Sequence, residues 1–254
     1  MINLCIIESM SFGLGASLGS FANVCIYRIP RGLSIIAPRS FCPHCRKTLA
    51  WYELVPLLSF VFLRGRCRRC HGRISIRYPL VELASGAVAL WLFVDYGATP
   101  GTFVKIVLFV LFLIIAAIDW TNLIIPNGLV IAGLLLGAIA FSIISMHALW
   151  DAALSGALAA GFTFLARAVG NLIFNKDTMG IGDIKLAGLI GLFIGFEHFL
   201  VAIWFAAILG IIYWSIQRVL NRTAKDLRLP FGTFLSVTAI IIYLAPAPSI
   251  PFIR

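Results

Sequence analysis

Apolar residues run through this chain in long blocks separated by short polar stretches, not in the alternation of a half-buried strand. A helix needs about 20 apolar residues to cross a hydrocarbon core. Runs near that length fall at 4–26, 79–96, 102–119, 124–146, 151–173, 183–196, 198–218 and 231–250. The pattern predicts an all-α polytopic membrane protein with about eight transmembrane helices. The sixth run is short and glycine-rich (Gly188, Gly191, Gly195). The first contains Glu8, Asn23 and several Gly and Ser residues, so it is expected to face protein rather than lipid. No basic residue precedes its apolar stretch, so it reads as a span and not as a secretory signal. Between the first two runs lies a polar segment, 27–77. The expected organisation is therefore a first helix (1–26), a compact polar domain (27–77) and a transmembrane region (78–254).

Composition excludes a water-soluble globule. The chain is 61% apolar and 12% charged, against roughly half and a quarter in soluble domains. Its net charge of +10 is unevenly placed, with Arg28, Arg31, Arg39, Arg46, Lys47, Arg64, Arg66, Arg68, Arg69, Arg73 and Arg77 all in one loop. Lys and Arg are retained on the cytoplasmic side of membrane proteins. Placing 27–77 in the cytosol and alternating the spans brings Arg167, Lys176, Lys185, Arg218, Arg222, Lys225 and Arg228 to the same side. Only Lys105 and Arg254 fall outside, and both termini face out. Topology accounts for the charge, so no nucleic-acid partner is expected.

Six cysteines are present. Cys5 and Cys25 lie in the first apolar run, where a free thiol behaves as a small hydrophobe. The others form two C-x2-C knuckles, Cys42-Pro43-His44-Cys45 and Cys67-Arg68-Arg69-Cys70. Four thiolates suit a closed tetrahedral structural zinc site. His44 and His71 are spare ligands once four cysteines fill the shell. A segment this polar and short gains its fold from such a staple. Disulfides need an oxidising compartment, which the basic loop argues against. A small zinc-ribbon-like cytosolic domain between helices 1 and 2 is expected.

Ionisable groups within spans need a reason. Asp119 ends the third run and Asp183 begins the sixth, which places both at one depth near the cytoplasmic face. Asp119 precedes Trp120-Thr121-Asn122-Leu123-Ile124-Ile125-Pro126-Asn127, and Asp183 lies in Gly180-Ile181-Gly182-Asp183-Ile184-Lys185. Two carboxyls within a few Å share a proton and can act as general base and general acid, the chemistry of an aspartic protease. The alternative is two helix-end acids, one capping a helix and the other solvated. Lys185 reads as a topology charge.

Several stretches in order resemble the prepilin peptidases, the type IV prepilin leader peptidases of pilus and type II secretion systems. They are Gly19-Ser20-Phe21-Ala22-Asn23-Val24 with Arg28 and Pro30, the two cysteine knuckles, Arg77-Tyr78-Pro79-Leu80-Val81-Glu82, Asp119 to Pro126, the G-x-G-D-x-K stretch at 180–185, and Pro230-Phe231-Gly232. Asn127 and Thr121 stand where some relatives carry acids, and Thr233 where Pro is common. The resemblance implies a bifunctional enzyme of the bacterial inner membrane. It implies cleavage of the basic leader of prepilins and pseudopilins after Gly at the cytoplasmic face, with Asp119 and Asp183 as the catalytic pair. It further implies N-methylation of the new N-terminus with S-adenosylmethionine, linked to the segment 27–77 with its zinc ligands Cys42, Cys45, Cys67 and Cys70. Glu8, Arg28 and Glu82 are methylation candidates by motif membership, with a structural role for each as the alternative. Glu53, Asp177 and Asp226 are expected to offer a negative path for the basic leader. The rival readings are a peptidase without methylase activity, a proton- or cation-coupled transporter, and a membrane scaffold.

Overall fold

The computed structural model describes residues 2–220 and 229–245, with side chains from residue 7 onward. Arg222, Lys225, Arg228 and Arg254 of the charge pattern, Asp226, the end of the last predicted span and the Cys5 side chain lie outside the described residues.

The chain folds into α1 (Ile2–Arg28), a 3-10 turn at Ile29–Arg31, a second at Trp51–Leu54, then α2 (Leu58–Phe62) and α3 (Arg77–Tyr96). It continues through α4 (Pro100–Asn122), α5 (Asn127–Ile144), α6 (Met146–Phe174), α7 (Ile181–Ile194), α8 (Phe196–Leu220) and α9 (Phe231–Leu244). No strand occurs among the described residues; isolated antiparallel bridges pair Phe41 with Thr48 and Arg66 with Arg73. All eight predicted runs become helices, but six are long and apolar enough to cross a membrane: α1, α3, α4, α5, α6 and α8. Helices α7 and α9 have 14 residues each. Exposed large apolar side chains along the long helices, such as Leu154, Leu165, Trp204 and Ile211, form the lipid-facing surface of an integral membrane protein.

Two compact units divide the chain at residue 110, inside α4. In the first unit α1 lies along α3. Gly15 and Gly19, four residues apart, let the backbones touch. A Cβ on Gly19 would sit 2.8 Å from the Glu82 Cα and 2.9 Å from the Ser85 Oγ. This is the small-residue spacing by which membrane helices approach closely. Asn23 ties the two helices at their polar end, donating from Nδ2 to the Tyr78 carbonyl at 3.1 Å. The Arg28 guanidinium folds the following loop back, donating to the carbonyls of Ser34 (2.7 Å), Pro38 (2.7 Å) and Arg39 (3.3 Å). Lys105, one of the two basic residues outside the cytoplasmic tally, is buried with its ammonium 3.5 Å from the centre of the Tyr96 ring.

In the second unit α7 is the central element, packed against α5, α6, α8 and α9. Leu186, Ala187, Leu189 and Ile190 are completely enclosed. A helix surrounded by protein need not match the bilayer thickness, which explains its 14 residues. Its glycines bring α6 close: a Cβ on Gly191 would lie 2.5 Å from the Ala159 Cβ, and one on Gly156 2.8 Å from the Gly188 carbonyl.

Candidate active site and metal centre

Asp119 lies in the last turn of α4. The helix stops where Leu123 adopts the left-handed conformation (φ 56°) and its N–H closes on the Asp119 carbonyl at 2.9 Å. Asp183 lies in the first turn of α7. Its Oδ2 accepts the Gly180 N–H at 3.1 Å, capping the helix. Both carboxylates are withdrawn from solvent, at 5% and 9% exposure, and they lie close enough to interact electrostatically. Ile125 sits between their supports. A Cβ on Gly182 would be 3.1 Å from the Ile125 Cβ, and one on Gly232 would be 2.8 Å from its Cδ1.

Asp119 is held by Thr233, to which the sequence assigned no role. Thr233 donates its backbone N–H to Asp119 Oδ2 at 2.7 Å, and its hydroxyl stands 3.1 Å from the same oxygen and 2.9 Å from the Ala116 carbonyl. Gly232 allows that approach: a Cβ there would lie 3.1 Å from Asp119 Oδ2. Lys185 is more than a topology charge, because its Nζ donates to Asn127 Oδ1 at 2.9 Å and joins α7 to α5. Among the described residues, the hydrogen bonds to both aspartates go to Oδ2, so in each Oδ1 is the oxygen left for a reaction.

The expected metal ligands converge. The sulfurs of Cys42, Cys45, Cys67 and Cys70 all lie within 4.8 Å of one another, and Cys42 Sγ is 3.8 Å from Cys70 Sγ. A tetrahedron of bonds of about 2.3 Å to zinc separates its sulfurs by about 3.8 Å, so the donor set fits a tetrahedral thiolate-bound ion. The two knuckles repeat one pattern. Arg46 N–H bonds the Cys42 carbonyl and His71 N–H the Cys67 carbonyl, and Arg46 and His71 both take positive φ (56° and 55°). The backbone N–H groups of Cys70 and Arg69 draw the Cys67 thiol down to about 7. Burial pushes Cys42 up to about 11, against the N–H groups of Cys45 and His44. A bound cation makes all four thiolates compatible. Cys25 is buried and free.

The methylation candidates separate. Arg28 and Glu82 line one cavity of about 360 Å³ formed by the end of α1, the start of α3 and the cysteine-rich segment. Glu8 lies about 30 Å along α1 from Arg28, at about 1.5 Å per residue. Glu53 caps its own turn, accepting the Ala50 N–H at 2.7 Å, and Asp177 pairs with Arg167 at 3.1 Å.

Residues 14–96 match the bacterial peptidase A24 N-terminal domain, and residues 106–215 match the type IV leader peptidase family. The chain is 39% identical over 236 residues to a prepilin leader peptidase/N-methyltransferase of Bacillus subtilis (strain 168), covering 93% of each. The chain belongs to the type IV leader peptidase family. Members named prepilin leader peptidase/N-methyltransferase from Klebsiella pneumoniae and Vibrio cholerae are 38% and 31% identical. Those matches cover 74% and 90% of this chain, and 86% and 92% of the relatives. No solved structure matches the chain.

Proposed function

We propose that this protein is a membrane-embedded aspartic endopeptidase that removes the leader of prepilins and then N-methylates the new N-terminus. The observation that carries the peptidase half is the pair of enclosed carboxylates, Asp119 and Asp183, held on separate helices beside Ile125. Two carboxyls so placed carry one proton between them. The ionised partner takes a proton from water as the water attacks the scissile carbonyl, and the protonated partner donates to the carbonyl oxygen. Collapse of the tetrahedral intermediate returns a proton to the departing amine. Thr233 and Gly180 anchor one oxygen of each acid, which orients the other.

The distribution of Lys and Arg supports an inner-membrane protein with both termini periplasmic, and with segment 27–77 and the aspartates at the cytoplasmic face. There the substrate's apolar helix remains in lipid while its basic leader stays in the cytosol, where cleavage after Gly takes place. Zinc is the ion we assign to Cys42, Cys45, Cys67 and Cys70; with its shell closed by four sulfurs it is structural, and we link the segment 27–77 to methylation. S-adenosylmethionine supplies an electrophilic methyl group when bound, and the chain's part is to hold it beside the new amine. No observation in the described residues favours a transporter.

Mass spectrometry of a prepilin peptide (basic leader, Gly-Phe junction, apolar helix) incubated with the detergent-solubilised protein tests both halves. The expected product lacks the leader and, with S-adenosylmethionine present, carries one added methyl group. An uncut peptide would refute the peptidase; a cut but never methylated product would refute the methylase.

A further inference from the structure

We propose that the cavity between α1, α3 and the cysteine-rich segment holds the amino-acid end of the methyl donor, with Glu82 and the Oδ1 of Asn23 facing its cationic groups. The proposal rests on the methyltransferase reading above and supplies the site that reading lacks.

Asn23 is 1% exposed. Its Nδ2 is committed to the Tyr78 carbonyl at 3.1 Å, and flipping the amide would set oxygen against oxygen. The orientation of Oδ1 is therefore fixed, and among the described residues it has no donor. Buried acceptors are rarely left unmatched, and such an orphan calls for a partner from outside the chain. Glu82 is 8% exposed. Its Oε2 accepts the Leu57 N–H at 2.8 Å, from a residue held at φ 60°, ψ −50°, a strained conformation for a leucine. No ion pair to Glu82 occurs among the described residues, where the pairs are His147–Asp151 and Arg167–Asp177. A buried carboxylate without a cation and an orphaned amide oxygen, on residues that line one cavity, make a receptor for positive charge.

Both groups line the same cavity. S-adenosylmethionine carries the matching chemistry in an ammonium and a sulfonium. Arg73 also lines the cavity and can meet the donor's carboxylate. Tyr27, Phe41 and Tyr78 also line the cavity and supply aromatic surface for its adenine. The volume of about 360 Å³ lies within the range of about 300–1,000 Å³ usual for small-molecule sites. Among the described residues, neither aspartate of the pair carries a buried, unpartnered oxygen of this kind.

Equilibrium binding of S-adenosylmethionine to the zinc-loaded full chain in detergent tests the site. Wild type should bind it, and Glu82→Gln and Asn23→Leu should each weaken binding at least tenfold. Zinc content and melting temperature report whether each variant is folded. Should a variant misfold, photolabelling of the wild type decides: ultraviolet cross-linking of radiolabelled S-adenosylmethionine should mark peptides containing Tyr27 or Tyr78. Unchanged affinity in folded Glu82→Gln, or label confined to residues 111–254, would overturn the site and leave the methyltransferase reading standing. A wild type that neither binds the donor nor methylates a cut peptide would overturn that reading and the site with it.

Discussion

Thr233 has one hydroxyl proton and two acceptors, the Ala116 carbonyl and Asp119 Oδ2. Its backbone N–H serves Asp119 in either case. The hydroxyl can therefore follow the charge on Asp119, donating to the carboxylate when it is ionised and to the helix carbonyl when it is not. Replacing Thr233 by Val keeps the shape and the N–H and removes that donor. A hydrogen bond to a charged group contributes about 1.5 kcal/mol or more, so the kcat for prepilin cleavage should fall about tenfold. KM should stay unchanged, because the group acts on an aspartate and not on the substrate. Steady-state kinetics check this; an unchanged kcat would remove Thr233 from the mechanism. Asp119 and Asp183 were legible as candidates in the sequence because acids at membrane depth are costly and few, and the structure encloses both. Thr233 was not, because it reaches Asp119 across 114 residues, and nothing along the chain says which acid a late Pro-Phe-Gly turn will meet. The orphaned oxygen of Asn23 was equally hidden, since it exists only once Tyr78 is beside it.

Helices were predicted from apolar run length, and that signal identifies helices well while misjudging their setting. Run length measures fitness for lipid, and α7 is enclosed by protein, so a 14-residue helix suffices where a lipid-facing one needs about 20. The glycines of this short run are what admit α6. Glycine has the same role in α1. A Cβ on Gly15 would lie 2.5 Å from the Ala89 Cβ and 2.9 Å from the Gly86 Cα, so Gly15→Val should force α1 from α3. Overpacking of this kind costs about 1–3 kcal/mol, to be read as a lower melting temperature in detergent. An unchanged melting temperature would mean that α1 and α3 are not in this contact. The convergence of the four cysteines was legible because the spacing of each knuckle brings two sulfurs together. Their shared hydrogen-bond pattern and the left-handed Arg46 and His71 were not, because neither position carries the glycine that would announce such a turn.

Across the whole molecule, an integral membrane protein was readable from the balance of apolar and charged residues. Of about eight expected spans, six are long enough to cross a bilayer among the described residues, and the sixth run, short already in the sequence, is one of the two 14-residue helices. Each unit carries its own chemistry: thiolates and a cavity with unmatched acceptors in residues 1–110, a carboxylate pair in residues 111–254. The central claim is that Asp119 and Asp183 perform the cleavage together. The most direct measurement is cleavage of a prepilin peptide by Asp119→Asn and by Asp183→Asn, each folded and carrying its metal, beside the wild type. Each substitution removes one of the two carboxyls that must act as base and acid together, so both should lower kcat by at least a thousandfold, about 4 kcal/mol of transition-state stabilisation. Near wild-type cleavage by either variant would contradict the account.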